Sequence, residues 1–243
     1  MIRKCYKIAD KVVEICSLYE NVHTYCADYQ TDEISDYTVT TTQADIDSER
    51  DKSAREDATL GIPVRKFHDG YLEELAVYRK IAEQMTEYDT ILFHGSVIAV
   101  DGEAYLFTAR SGTGKSTHTR LWREYLGDRA VMVNDDKPLI HVGKNSSTVY
   151  GTPYNGKHRL GANISVPLKA ICILTRDDHN HIEPITKEQA YTILLMQAYR
   201  PADKAKMLKT LRLINLLADQ VKLYLLGCNM EPEAAKVAFE GMQ

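Results

Sequence analysis

The sequence predicts an α/β fold, and three features along its 243 residues carry that prediction. Short β-like segments alternate with helical segments after about residue 90. A strand–turn–strand unit surrounds Asp101-Gly102, a dipeptide typical of type I′ turns. A glycine-rich loop then separates the second of these strands from an amphipathic helix. This order is expected of a sheet that is covered by helices.

Residues 1–88 are predicted to form an N-terminal α+β extension. Strands are expected at residues 11–16 and 36–42, and an amphipathic helix is expected at residues 71–85. Residues 45–57 are dense in charge and are expected to form a solvated loop or helix face. No residue pattern in this region indicates a chemistry, so its role stays open.

Residues 89–243 are predicted to form the core domain. The strand segments are 91–93, 96–100, 103–108, 130–133, 139–142, 148–150, 170–174 and 221–226. The helical segments are 115–126, 188–198, 204–218 and 232–239, with Gly127 as a C-terminal stop for the first.

Composition argues against several classes of partner. The net charge is −4, and basic residues are interleaved with acidic ones, so there is no basic stripe for a nucleic acid. The longest apolar runs are too short to cross a bilayer, and the N-terminus lacks a signal-peptide pattern. We therefore expect a cytoplasmic protein with no nucleic-acid or membrane partner.

The five cysteines form no CxxC pair. His23 and Cys26 have a metal-like spacing, but no second pair completes a site. The cysteines are expected to be reduced and mostly packed.

The glycine-rich loop has the composition of a phosphate-binding P-loop. Backbone N–H groups in such a loop point at phosphate oxygens, a lysine adds positive charge, and a hydroxyl next to it binds Mg²⁺. Ala109 stands where the strict pattern has its first glycine, and the alternative is a glycine-rich turn capped by hydroxyl side chains. The predicted ATP-binding residues are Ser111, Gly112, Thr113, Gly114, Lys115, Ser116 and Thr117.

An acidic pair follows the next predicted strand. One carboxylate of Asp135 and Asp136 is expected to hold Mg²⁺, directly or through water, while the other faces an incoming hydroxyl and takes its proton. The alternative is an Asx-type turn before Pro138.

His94-Gly95, the hairpin, the P-loop and Asp135-Asp136 together resemble the catalytic domain of HPr kinase/phosphorylase. The Ser-Gly-Thr-Gly-Lys loop is also similar to that of ATP-dependent phosphoenolpyruvate carboxykinase, which shares the fold. The resemblance covers about residues 90–140, and beyond them only the order of elements. It implies a P-loop core of this type, with Lys115 on the phosphates, Ser116 on Mg²⁺ and Asp136 as the base. Asp135 is then predicted to be the second metal ligand, next to Ser116. His94 would be a catalytic neighbour of Asp136, or else a packed histidine.

Residues 151–159 lack the glutamate and the Arg-Gly-x-Gly pattern of the HPr kinase signature, so the resemblance leaves open both a phosphorylase activity and HPr as the substrate. Lys157, His158 and the predicted catalytic residue Arg159 could neutralise the transferring phosphoryl group. The alternative is a solvated basic turn.

These observations predict an ATP- and Mg²⁺-dependent kinase that phosphorylates a hydroxyl of a protein, peptide or small molecule. The alternative is a regulatory nucleotide-binding module with little or no phosphotransfer, and a carboxykinase comes third. The sequence leaves the acceptor and the oligomeric state open, a homo-oligomer included.

Overall fold

The computed structural model describes residues 1–156 and 158–243. The chain divides into two compact units, Met1–Gln84 and Met85–Gln243. The structure contains helices and a large mixed sheet, which confirms the predicted α/β class.

The first unit combines a small sheet with helices. Its elements are β1 (Ile2–Ile8), β2 (Lys11–Ser17), α1 (Asn21–Tyr25), β3 (Tyr37–Thr40), α2 (Gln43–Thr59) and α3 (Asp69–Met85). Strands β1 and β2 are antiparallel, and β3 adds to β2 in parallel.

A buried carboxylate joins α3 to this sheet. Glu73 accepts hydrogen bonds from the backbone N–H groups of Leu18 and Tyr19, at 2.7 and 2.8 Å, and from the Thr41 hydroxyl. Every partner is a donor, as a buried carboxylate requires. The side chain of Glu73 therefore fixes the loop that follows β2.

The second unit contains nine strands and four α-helices among its described residues. The strands are β4 (Thr90–Leu92), β5 (Ser96–Val100), β6 (Glu103–Thr108), β7 (Ala130–Asn134), β8 (Leu139–Val142), β9 (Ser147–Tyr150), β10 (Ser165–Arg176), β11 (His181–Pro184) and β12 (Lys222–Cys228). The helices are α4 (Lys115–Leu126), α5 (Lys187–Gln197), α6 (Lys204–Gln220) and α7 (Glu233–Gly241).

Strand β10 joins two parts of the large sheet. Its first residues pair antiparallel with β9, which continues through β8 to β4. Its later residues run parallel to β6 on one side and β12 on the other. The hairpin β5–β6 then leads to β7, which pairs with β5.

Residues along the central strands alternate between two cores. In β6, Leu106 belongs to the core that includes α5 and α6, while Tyr105 and Phe107 belong to the core that includes α4 and α7. Because both faces are covered by helices, residues 104–107 of the strand are all apolar. Trp122 of α4 is fully buried in the second core.

Most predicted elements of the second unit are present, and the predicted bounds of β5, β6 and α4 match those observed. Strands β1 and β11 and the short helix α1 were not predicted. Strand β10 extends five residues before its predicted start, to Ser165. The five cysteines are free, and Cys16, Cys26 and Cys172 are buried, as predicted.

Candidate functional site

The glycine-rich loop lies between the end of β6 and the start of α4. Gly112 and Gly114 have φ angles of 78° and 121°, in the region that favours glycine. A Cβ at either position would have no heavy atom within 4 Å. Glycine is therefore favoured there by the backbone conformation and not by a lack of space. Gly114 is the N-cap residue of α4, and no side chain in the described part of the chain caps that helix. Its first N–H groups are therefore available to an anion.

Lys115 is folded back over the loop. Its Nζ donates to the Ala109 carbonyl at 3.1 Å, and only 9% of the residue is exposed. Burial lowers the pKa of Lys115, and the negative charge of Asp136 opposes that shift. The two charges therefore act on each other across the site.

Asn134, the last residue of β7, shapes the acidic pair. Its Oδ1 accepts from the N–H groups of Asp136 and Lys137, at 2.9 and 2.7 Å. Its Nδ2 donates to the Thr152 hydroxyl at 2.9 Å. The Asx-type turn considered for this segment is therefore present. It fixes the backbone that carries both carboxylates, so the turn and a functional role are compatible.

The two carboxylates have different surroundings. Asp135 is buried, and its Oδ1 accepts a short hydrogen bond from the N–H of Gly156. A Cβ on Gly156 would lie 2.7 Å from the other oxygen of Asp135, so only glycine allows this approach. The side chain of Asp136 is 35% exposed. A molecule from solvent can therefore reach Asp136 more easily than Asp135.

His94 follows β4 and lies next to Asp136. Its Nε2 is 3.5 Å from Oδ1 of Asp136, and its Nδ1 is 2.8 Å from Oε1 of Gln197. Burial lowers the pKa of His94, as does the positive charge of Lys115, while Asp136 raises it. A neutral ring has one N–H, so donation to Asp136 requires the Gln197 amide to present its NH₂ to Nδ1. The proton state of His94 is thus coupled to the carboxylate and to the amide.

Backbone hydrogen bonds fix His94 on two sides. Its N–H donates to the Gln197 carbonyl at 2.8 Å, and the next N–H, of Gly95, donates to the Asp136 carbonyl at 3.0 Å. The Thr108 hydroxyl, at the end of β6, donates to the His94 carbonyl at 3.0 Å. These contacts connect the ends of β4 and β6 and the turn after β7 at His94.

Other predicted residues lie at the edge of this arrangement. The hydroxyl-bearing loop residues Ser111 and Ser116 are exposed, while Thr113 and Thr117 are partly buried. Arg159 is exposed, has a φ of 48°, and its N–H donates to the Gly156 carbonyl. Its backbone is thus tied to the glycine that holds Asp135. Lys157 lies outside the described residues.

Sequence reasoning missed the residues that support the site. Asn134 stood beside the acidic pair and had a detectable signal, since asparagine often bonds to the backbone two residues ahead. Gln197 and Thr152 gave no such signal because the residues they contact are far from them in the sequence. Arg176 was also missed, and it donates to the Gly112 carbonyl at 2.5 Å.

The donor set fits a nucleotide with Mg²⁺. A serine hydroxyl and a carboxylate are hard oxygen ligands, and bound phosphates ordinarily supply more of them. Within residues 1–156 and 158–243, no group of three or more His, Cys, Asp or Glu side chains could hold a metal ion by itself. A site formed by Ser116 and Asp135 would therefore depend on the phosphates.

A family model described as "SynChlorMet cassette protein ScmC" matches residues 71–228, which is more than half of the chain. The chain belongs to the ScmC family. Among solved structures, the Hpr(Ser) kinase/phosphatase from Coxiella burnetii is similar with a TM-score of 0.35 and 11% sequence identity. The match covers 61% of this chain and 94% of that one. No curated protein shows significant similarity to this ScmC family member. None of its helices, in the part that the structure describes, has the length and apolarity to span a membrane.

Proposed function

We propose that this ScmC family member is an ATP- and Mg²⁺-dependent kinase that transfers the γ-phosphoryl group to a hydroxyl of a protein, peptide or small molecule. The observation that carries the proposal is the contact between His94 and Asp136, within the electrostatic influence of Lys115. Nε2 of His94 lies 3.5 Å from Oδ1 of the reachable Asp136, and the charge of Lys115 acts on both side chains. Phosphoryl transfer needs phosphate-binding charge and an acceptor-orienting base within one site.

The loop and the start of α4 would hold the phosphates. The glycine conformations leave backbone N–H groups free to approach phosphate oxygens, and the uncapped helix end favours negative charge. Lys115 would exchange its bond to the Ala109 carbonyl for one to a phosphate oxygen. Ser116 and Asp135 would hold Mg²⁺, which neutralises charge on the phosphates when bound.

Asp136 would orient the acceptor hydroxyl and take its proton. An aspartate is a weak base, so positioning and late proton transfer account for most of its effect. His94 would fix the carboxylate through its Nε2, and Gln197 would fix the ring. Arg159 would add positive charge next to the transferring group, from the turn whose Gly156 holds Asp135.

The motif resemblance to HPr kinase/phosphorylase supports this assignment, because His94 and Asp136 match family positions and also lie together here. The P-loop assignment rests on the loop sequence and its glycine conformations. A cytoplasmic location is part of the same proposal, since ATP is abundant there.

Transfer of label from γ-labelled ATP to acceptors in a cell extract tests the function directly. We expect one labelled species, whose formation requires Mg²⁺ and is lost in Lys115→Ala and in Asp136→Asn. Lys236→Ala and Asp128→Asn are matched controls because both side chains are exposed and neither belongs to the proposed site. If the protein binds Mg-ATP but labels nothing, the regulatory nucleotide-binding module replaces the kinase. Failure to bind Mg-ATP refutes both.

A further inference from the structure

Lys137 follows the acidic pair directly, and no sequence motif points to it. Its Nζ lies 4.0 Å from Oδ2 of Asp136, and its side chain is 36% exposed. His94 lies at the other oxygen, with its Nε2 3.5 Å from Oδ1. The carboxylate of Asp136 thus has a histidine beside one oxygen and an ammonium group beside the other.

The turn after β7 brings the side chains of Asp136 and Lys137 together. Neighbouring residues of an extended strand point to opposite sides. Here Oδ1 of Asn134 accepts from the N–H groups of both residues, at 2.9 and 2.7 Å, which bends the chain at this point. The Thr152 hydroxyl donates to the carbonyl of Lys137 at 2.9 Å. The backbone of Lys137 is therefore fixed through both its N–H and its carbonyl, while its side chain is accessible from solvent.

The two neighbours of Asp136 define where an acceptor hydroxyl meets the carboxylate. Both contacts are longer than an ordinary hydrogen bond of about 2.7 to 3.2 Å, so each oxygen can still accept one. The proposed function uses the contact of His94 to fix Oδ1, which leaves Oδ2 for the acceptor hydroxyl. The ammonium group of Lys137 is therefore next to the place where the acceptor oxygen becomes bonded to phosphorus.

Phosphoryl transfer places two negative groups close together at Asp136. The γ-phosphoryl group must approach a hydroxyl that the carboxylate already contacts, and like charges at this separation repel each other. Lys115 is assigned to the phosphates of the nucleotide. Burial lowers the pKa of His94 from its ordinary value of 6.5, so the ring is mainly neutral near neutral pH and supplies little positive charge. A cation beside Oδ2 is placed to offset the repulsion.

We propose that Lys137 is a catalytic residue that donates hydrogen bonds to the oxygens of the γ-phosphoryl group during its transfer. The acceptor hydroxyl gives its proton to Oδ2 of Asp136, and the acceptor oxygen forms the new bond to phosphorus. The bond from that phosphorus to the bridging oxygen breaks, and its electron pair stays with ADP. Lys137 keeps its proton throughout and moves from the carboxylate to the phosphoryl oxygens. This inference rests on the proposed function and adds to it a residue on the acceptor side.

Two probes separate a contact to the transferring group from a general effect on the site. Mg-ADP has no γ-phosphoryl group, whereas Mg-ADP with aluminium fluoride carries an anionic mimic of that group in its transition state. Calorimetric titration of the full chain with each probe measures the two affinities. Lys137→Met removes the charge and keeps an unbranched side chain, while Lys137→Arg keeps the charge. Lys144→Met, at an exposed position on the turn between β8 and β9, is the matched control.

We expect the unmodified protein to bind the fluoride complex more tightly than Mg-ADP alone. Lys137→Met should weaken binding of the fluoride complex about thirtyfold, because a hydrogen bond between charged groups is lost, and should leave the affinity for Mg-ADP unchanged. Lys137→Arg should restore most of the affinity for the fluoride complex, and Lys144→Met should change neither affinity. The melting temperatures should be similar, since the hydrogen bonds that fix Lys137 are made by its backbone.

Four results overturn the proposal. Unchanged affinity of Lys137→Met for the fluoride complex means that Lys137 does not contact the transferring group. The same loss of affinity for both probes in this variant means a structural role. If the unmodified protein binds both probes equally well, nucleotide binding stands but the site does not stabilise a transferring phosphoryl group. If it binds neither probe, the proposed function fails and this inference fails with it.

Discussion

Acid should destabilise the second unit through His118. Burial lowers the pKa of this ring from its ordinary 6.5 to about 4. Between these two pH values the unfolded chain binds a proton that the folded chain excludes, so the free energy of unfolding falls as the pH falls. The stabilisation is fully present above about pH 6.5 and is lost as the pH approaches 4. At about 1.4 kcal/mol per pH unit, the loss amounts to roughly 3 kcal/mol.

Trp122 makes this loss measurable. It is the single tryptophan of the chain, and its indole donates to His118. Urea unfolding followed by tryptophan fluorescence therefore reports on the packing around His118. Carboxylates also titrate in this pH range, so the informative quantity is the difference between the unmodified protein and His118→Gln.

We expect the two proteins to have similar stability near pH 7, and His118→Gln to be the more stable by roughly 2 to 3 kcal/mol near pH 4.5. Parallel dependence of the two stabilities on pH would show that the ring titrates normally. The assignment of a neutral, buried His118 would then be wrong.

Four further predictions concern the proposed phosphoryl-transfer site. Lys115→Ala should weaken Mg-ATP binding by about 2 kcal/mol, or roughly thirtyfold, with an unchanged melting temperature, and unchanged affinity in calorimetry would remove the P-loop assignment. Asp135→Asn should raise the Mg²⁺ concentration needed for half-maximal turnover. Asp136→Asn should lower turnover about a hundredfold and keep the affinity for Mg-ATP. Normal kinetics in both variants would mean that the acidic pair is only part of a turn. Gly156→Ala should reproduce the Mg²⁺ defect of Asp135→Asn because its Cβ would displace that carboxylate, and a normal Mg²⁺ titration would contradict this. His94→Ala should reduce turnover and remove one inflection from the pH profile of turnover. That inflection should lie below the ordinary histidine pKa, because burial lowers the pKa of His94. Lost stability with unchanged turnover per folded molecule would mean that His94 has only a packing role.

Local signals were enough to predict several elements that carry the site. The Asp101-Gly102 turn and its flanking apolar segments predicted the β5–β6 hairpin, and Gly127 marked the end of α4. These features depend on residues close in sequence, so one sequence is sufficient to find them. The edge strand β11 was missed because its residues are mostly exposed and lack an apolar pattern. The charged segment 45–57 became a helix, which its composition had left open.

The residues of the site also differ in how far they could be predicted from the sequence. The loop, the acidic pair and His94 were found as candidates because each belongs to a short motif. Their supports could not be found, since Gln197 is 103 residues from His94 and Gly156 is 21 residues from Asp135.

The support that Gln197 gives to His94 restricts the length of helix α5. Gln197 is the last residue of this helix, and both its backbone carbonyl and its side-chain amide contact His94. Deleting or inserting one residue within α5 would turn Gln197 by about 100° around the helix axis and shift it by about 1.5 Å along that axis. Both contacts would then be lost together. Active relatives should therefore tolerate many substitutions on the exposed face of α5 but no change in the number of its residues.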